Sequence, residues 1–133
     1  MIKTKSIYDE KSPSDGTRIL IMRKWPRGIK KDKIDEWDKS YAPSEKLLAD
    51  WNNDRISFKE FKSHYLKEMK ICMDKIKELS KRAKTETLTL VCHEKNDEHC
   101  HRKMLKEFIE KYLNDKYPNC VTLTRLRRGR VSL

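Results

Sequence analysis

Thr87-Leu88-Thr89-Leu90-Val91 runs directly into Cys92-His93-Glu94-Lys95-Asn96-Asp97-Glu98-His99-Cys100-His101-Arg102. The change of pattern between the two stretches decides the fold. The first is rich in β-branched residues and leucine, which suits a buried strand. The second holds Asn96 and Asp97, either of which can cap a helix, and beyond it Met104, Leu105, Phe108, Ile109 and Tyr112 recur at helical spacing. A strand, a short polar loop and an amphipathic helix over Glu98–Leu113 are expected in that order.

Upstream, Ser57-Phe58-Lys59-Glu60 has the form of a capping box. From it Phe58, Phe61, Tyr65, Met69, Cys72, Ile76 and Leu79 make one apolar stripe, so a single long helix is expected to about Arg82. A shorter helix starts near Ser44, with Glu45 in its first turn and Leu47, Leu48 and Trp51 inward, and another helical piece is expected around Asp32–Trp37. Ile2–Ile7 reads as a first strand with Lys3 and Lys5 outward. Lys11–Gly16 reads as a turn and Thr17–Met22 as a buried strand. Val121–Thr124 is a last short strand, and Cys72 and Cys120 are small core residues. Trp37, Tyr41 and Trp51 are packing groups in this reading. The alternation gives an α/β fold: a small, largely parallel sheet with helical crossovers in one compact domain over residues 1–124. Residues 125–133 form a basic tail.

The 133 residues suffice for one core, with 36% hydrophobic and 40% charged residues. No apolar run is long enough to span a membrane. Met1-Ile2-Lys3-Thr4-Lys5 has charge but no apolar stretch, so no signal peptide is expected and the location is expected to be cytoplasmic. In a reducing compartment the four cysteines are free thiols, metal ligands or reactive groups rather than bridges. The formal net charge of +11 favours anionic partners.

In a parallel sheet, ligands bind beyond the carboxyl ends of the strands, and two polar constellations fall there. In the first, Arg23 and Arg27 flank a rigid corner of Trp25, Pro26 and Gly28 that suits bidentate anion recognition. The competing reading packs Trp25 and Pro26 on the sheet edge and pairs the arginines with acidic residues. In the second, Cys92 or Cys100 is a nucleophile or redox thiol, and His101 or Glu94 an acid–base group. Arg102 joins Arg23 and Arg27 in binding the anion, and His93 lines the same pocket. Cys100 is expected in the first turn of its helix, where free amides favour a thiolate. The same loop also offers Cys92, His93, Cys100 and His101 to zinc, at a spacing unlike a standard finger. In a third reading Cys92 is core and the histidines cap or pair. With only 3 glycines there is no glycine-rich phosphate cradle.

Two functions follow as expectations. One is an anion- or nucleotide-binding pocket, enzymatic through a cysteine–histidine pair, that takes a phosphorylated or anionic small ligand. The other is a nucleic-acid-associated module using the lysine-rich faces and the arginine tail. No cofactor is specified.

The series Arg23-Lys24-Trp25-Pro26-Arg27-Gly28, Trp37, Ala42-Pro43-Ser44, Trp51, and Phe58 through Phe61 and Tyr65 to Glu68 resembles the domain of unknown function 488 family, especially its YeaO-like branch. The loop from Cys92 through Glu94 to Cys100-His101-Arg102 resembles other members of that family. Met22 stands where the family commonly has an acidic residue. The resemblance implies a compact α/β fold with its site at the two polar loops, and it supplies no reaction.

Overall fold

A computed structural model describes residues 1–93 and 100–116 of the chain. The strands are β1 (Ile2–Ser6), β2 (Thr17–Leu20), β3 (Glu36–Trp37) and β4 (Leu88–Cys92), and the helices are α1 (Glu45–Asn52), α2 (Phe58–Ile71), α3 (Met73–Ala83) and α4 (His101–Lys116). The strands form one parallel sheet in the order β1-β4-β2-β3. Strand β4 thus lies between the two strands that open the chain, and all five of its residues are buried. Its last residue, Cys92, is in register with Ser6 of β1, and Val91 with Leu20 of β2.

Alternation along the strands separates two faces. Ile2, Ile19, Ile21, Leu88, Leu90 and Cys92 enter the larger core with Phe61, Tyr65, Met69, Ile76, Leu79, Met104, Leu105 and Ile109 from the helices. Ile7, Leu20 and Val91 make a smaller core on the opposite face, where Met22, Trp25, Ile29 and Ile34 pack. That face also buries Arg18, whose Nη1 donates to Asp15 at 2.6 Å and whose Nε donates to the Lys33 carbonyl at 2.8 Å. Lys5 adds a second cation at 3.0 Å from Asp15, and Thr89 donates to the Asp15 carbonyl at 2.6 Å. Burial raises the Asp15 carboxyl, but hydrogen bonds from the Ser12 amide, Lys5 and Arg18 more than offset that and bring it to about 2.

Local signals placed most element starts. Ser57 and Glu60 close a reciprocal capping box at α2, and Ser44 caps α1 by accepting from the Leu47 amide at 3.2 Å. Three expectations are corrected. The expected long helix is two helices that break at Cys72, which has φ −104° and ψ 44°. A straight rod over residues 58–83 would extend about 39 Å, well past the roughly 24 Å of α4. The break lets both α2 and α3 pack on α4. Residues 32–37 are not helical: a single 3-10 turn (Lys31–Lys33) leads to β3, where Trp37 pairs with Leu20. Pairing to the exposed edge of β2 outcompetes the weak local helical pattern. Strand β2 stops at Leu20, two residues short of Met22, though the Ile21 amide still donates to the Val91 carbonyl at 3.1 Å.

The expected helix start at Glu98 lies outside the described residues, as do Cys120, the expected strand Val121–Thr124 and the basic tail 125–133. Among the described residues no helix is long and apolar enough to cross a membrane.

Candidate functional site

The carboxyl ends of β2 and β4 lie side by side, and a cleft of about 490 Å³ opens above them. Met22, Arg23 and Lys24 line it from the β2 side, and Cys92, His93, Cys100 and His101 line it from the β4 and α4 side. Leu48, Trp51 and Phe61 supply an apolar wall, with Trp51 stacked on Phe61 at 5.2 Å. Glu45, in the first turn of α1, is also on the wall.

Cys92 faces the helices because it follows Leu88 and Leu90 on the same side of β4. Arg102 sits in the first turn of α4, is almost fully buried, and donates from Nη1 to Cys92 Sγ at 3.2 Å. Cys100 immediately precedes α4, so it is not in the first turn. Its sulfur lies within 4.8 Å of Cys92 Sγ, and the interaction with Cys92, followed by burial, pushes its thiol far up despite Arg102. The expectation of a favoured Cys100 thiolate is corrected: the neighbouring Cys92 sulfur and burial keep the proton on Cys100.

His101 Nε2 lies 2.6 Å from the Ile21 carbonyl oxygen. A carbonyl oxygen can only accept, so Nε2 carries the hydrogen and Nδ1 keeps its lone pair. Nδ1 lies 4.0 Å from Cys100 Sγ. Burial, opposed by the bond to Ile21 and aided by His93 and Arg102, lowers the imidazole to about 4, so it is neutral at pH 7. Tyr65 abuts the ring edge-on at 5.6 Å, and its hydroxyl donates to the Tyr41 carbonyl at 2.7 Å.

The structure thus gathers Cys92, Cys100, His101 and Arg102 and leaves other expected site residues apart. Arg23 lines the cleft, held by Nε donating to the Pro43 carbonyl at 2.9 Å. Arg27 and Gly28 are exposed and do not line it, and Gly28 takes φ 80°, the left-handed region that glycine tolerates. Pro26 is buried, and Trp25 turns to the opposite face, where it meets Trp37 at 5.4 Å and donates to the Ile29 carbonyl at 2.9 Å. Glu94 lies outside the described residues. Lys24 and Glu45 were not singled out from the sequence, although the Ser44 cap marks Glu45 as a first-turn residue.

For a metal, the donor atoms of Cys92, Cys100 and His101 all lie within 4.8 Å of one another, and His93 does not join them. Two sulfurs and one imidazole suit only a thiophilic ion.

The model of the DUF488-N3a family, described as the active DUF488-N3 subclade, matches residues 2–113. The chain belongs to this family. Within DUF488 it is similar to the uncharacterized protein YeaO of Escherichia coli K12, with 37% identity over 81% of this chain and 96% of YeaO. It is also similar to the uncharacterized proteins Rv3073c of Mycobacterium tuberculosis and Mb3100c of Mycobacterium bovis, each 36% identical over 51% of this chain and 59% of the relative. No solved structure matches. All four of the gathered side chains lie within the residues that the DUF488-N3a model matches.

Proposed function

We propose that this DUF488-N3a protein is a cytoplasmic thiol-dependent enzyme that binds a small anionic substrate in the cleft above β2 and β4. The observation that carries this reading is the buried Arg102 guanidinium, 3.2 Å from a cysteine sulfur on the cleft wall. A cation bonded to sulfur favours the thiolate, which is the nucleophilic form. Cys92 is the nucleophile, with the Cys100 sulfur within 4.8 Å of it. His101, neutral and with Nδ1 open, is the proton acceptor beside Cys100, and Glu94 remains a further acid–base candidate. Arg23 and Lys24 hold the anion, while Trp51, Phe61 and Leu48 take the apolar part of the ligand.

Alkylation read by peptide mass tests it. Cys92 is expected to label ahead of Cys72, whose thiol burial raises. Iodoacetate, being anionic, is expected to gain on neutral iodoacetamide relative to free cysteine. Arg23→Gln with Lys24→Gln is expected to remove that gain. The same labelling should persist after exhaustive chelation, which separates a reactive thiol from a metal-held one. Labelling that begins at Cys72 or Cys120, with Cys92 and Cys100 inert, would overturn the reading.

A further inference from the structure

A nucleophilic cysteine needs one cation and one base nearby; it does not need a second thiol in contact with it. Here a second thiol is present, and the two sulfurs have different surroundings. Cys92 Sγ receives the Arg102 guanidinium at 3.2 Å. Cys100 Sγ has His101 Nδ1 at 4.0 Å, on the ring whose Nε2 is bonded to the Ile21 carbonyl. The two sulfurs and a ring nitrogen of His101 lie within 4.8 Å of one another on the wall of one cleft. Cys72 is remote from this arrangement: it sits at the α2–α3 break, against the Glu68 and Ser40 carbonyls at 3.8 and 3.9 Å.

One sulfur held beside a cation and its neighbour held beside a base form an attacking and a resolving pair. We infer that Cys92 and Cys100 are a redox couple that reduces a small anionic disulfide. This rests on the thiol reading above and names its substrate class.

The chemistry balances in two steps. Cys92 thiolate attacks one sulfur of the substrate R–S–S–R′, forming Cys92–S–S–R and releasing R′S⁻. His101 Nδ1 takes the Cys100 proton, and the Cys100 sulfur attacks Cys92 Sγ. This forms the Cys92–Cys100 disulfide and releases RS⁻, which takes the proton from His101. Two electrons pass from the dithiol to the substrate, and an external thiol must reduce the protein again. Arg23 and Lys24 supply the preference for an anionic substrate, and Arg102 stabilises the Cys92 thiolate as the attacking group.

The test uses oxidised glutathione as the anionic disulfide, with the reduced full-length protein, an acid quench and peptide mass mapping. Wild-type protein is expected to lose two hydrogens as a Cys92–Cys100 disulfide and to release two reduced glutathiones per chain. Cys100→Ser is expected to stop at a stable glutathione adduct on Cys92, and Cys92→Ser to give no adduct on Cys100. His101→Gln keeps a donor for the Ile21 carbonyl but has no base, so it is expected to slow resolution about a hundredfold without slowing adduct formation. A stable adduct on Cys92 in the wild-type protein would overturn the resolving role of Cys100. Ready alkylation of Cys92 with neither adduct nor internal disulfide would overturn the redox inference and leave the thiol reading standing. Failure of both alkylation and adduct formation would overturn both.

Discussion

His101, the first residue of α4, donates from its ring to the carbonyl of Ile21, just past the end of β2. The Ile21 amide donates in turn to the Val91 carbonyl of β4, so one residue ties two strands and a helix together at the cleft. The bond also selects the tautomer that leaves Nδ1 towards Cys100.

That arrangement makes stability depend on acidity. His101 is lowered from an ordinary value of 6.5 to about 4, so the unfolded chain binds the extra proton more readily than the folded one. Its contribution is complete above about pH 6.5 and is lost as pH falls towards 4, to a maximum of about 3 kcal/mol. The groups facing the ring are His93, Arg102, Cys100 and Tyr65. Urea melts of wild type and His101→Gln between those limits should show a steeper acid loss in the wild type. Parallel curves would assign the slope elsewhere.

Arg102→Gln removes the cation from Cys92 while keeping a polar side chain. The pH–rate profile for Cys92 alkylation is expected to move upward by about one to three units, the usual effect of an adjacent opposite charge. An unchanged profile would show that the guanidinium has only a packing role.

Asp15→Asn is a stability variant on the opposite face of the sheet. Asp15 is the carboxylate on Arg18 Nη1, and Arg18 is fully buried, with Nη2 unpartnered among the described residues. Losing that counter-charge strands a buried cation, at a cost of about 3–5 kcal/mol. In the wild type this contribution is present above about pH 4 and declines as pH falls through about 2, because the Asp15 carboxyl is depressed on folding. Chemical denaturation at neutral pH reads the cost directly, and a loss below about 0.5 kcal/mol would contradict it.

Phe61→Ala should cost about 3–5 kcal/mol, as for other truncated buried aromatics. Phe61 is 2% exposed, stacks on Trp51 and lies 6.4 Å from Phe58. Because it also lines the cleft, the same variant should weaken ligand retention there. A change within about 0.5 kcal/mol in urea denaturation would show that the wall is not packed as described.

By itself the sequence determined the parts whose signals are local. Strand β4 follows from its β-branched run, α2 from the Ser57–Glu60 box, and the inward faces of α2, α3 and α4 from the spacing of Phe61, Tyr65, Met69, Ile76, Met104, Leu105 and Ile109. It also singled out the Cys92–Arg102 segment as a candidate site, because a polar, nucleophile-bearing stretch there follows a strand and precedes a helix. Only the tertiary structure decided which residues meet. Periodicity states which face a side chain takes but not which element lies opposite, so the insertion of β4 between β1 and β2 was not legible. That insertion sets Arg23 on the same cleft as Cys92, while the turn after it carries Arg27 into solvent. The break at Cys72 lies inside an unbroken apolar stripe, and packing against α4, not any local residue, accounts for it. Arg102, read as a ligand-binding arginine, is instead buried on Cys92 Sγ, because the first turn of α4 passes over the end of β4.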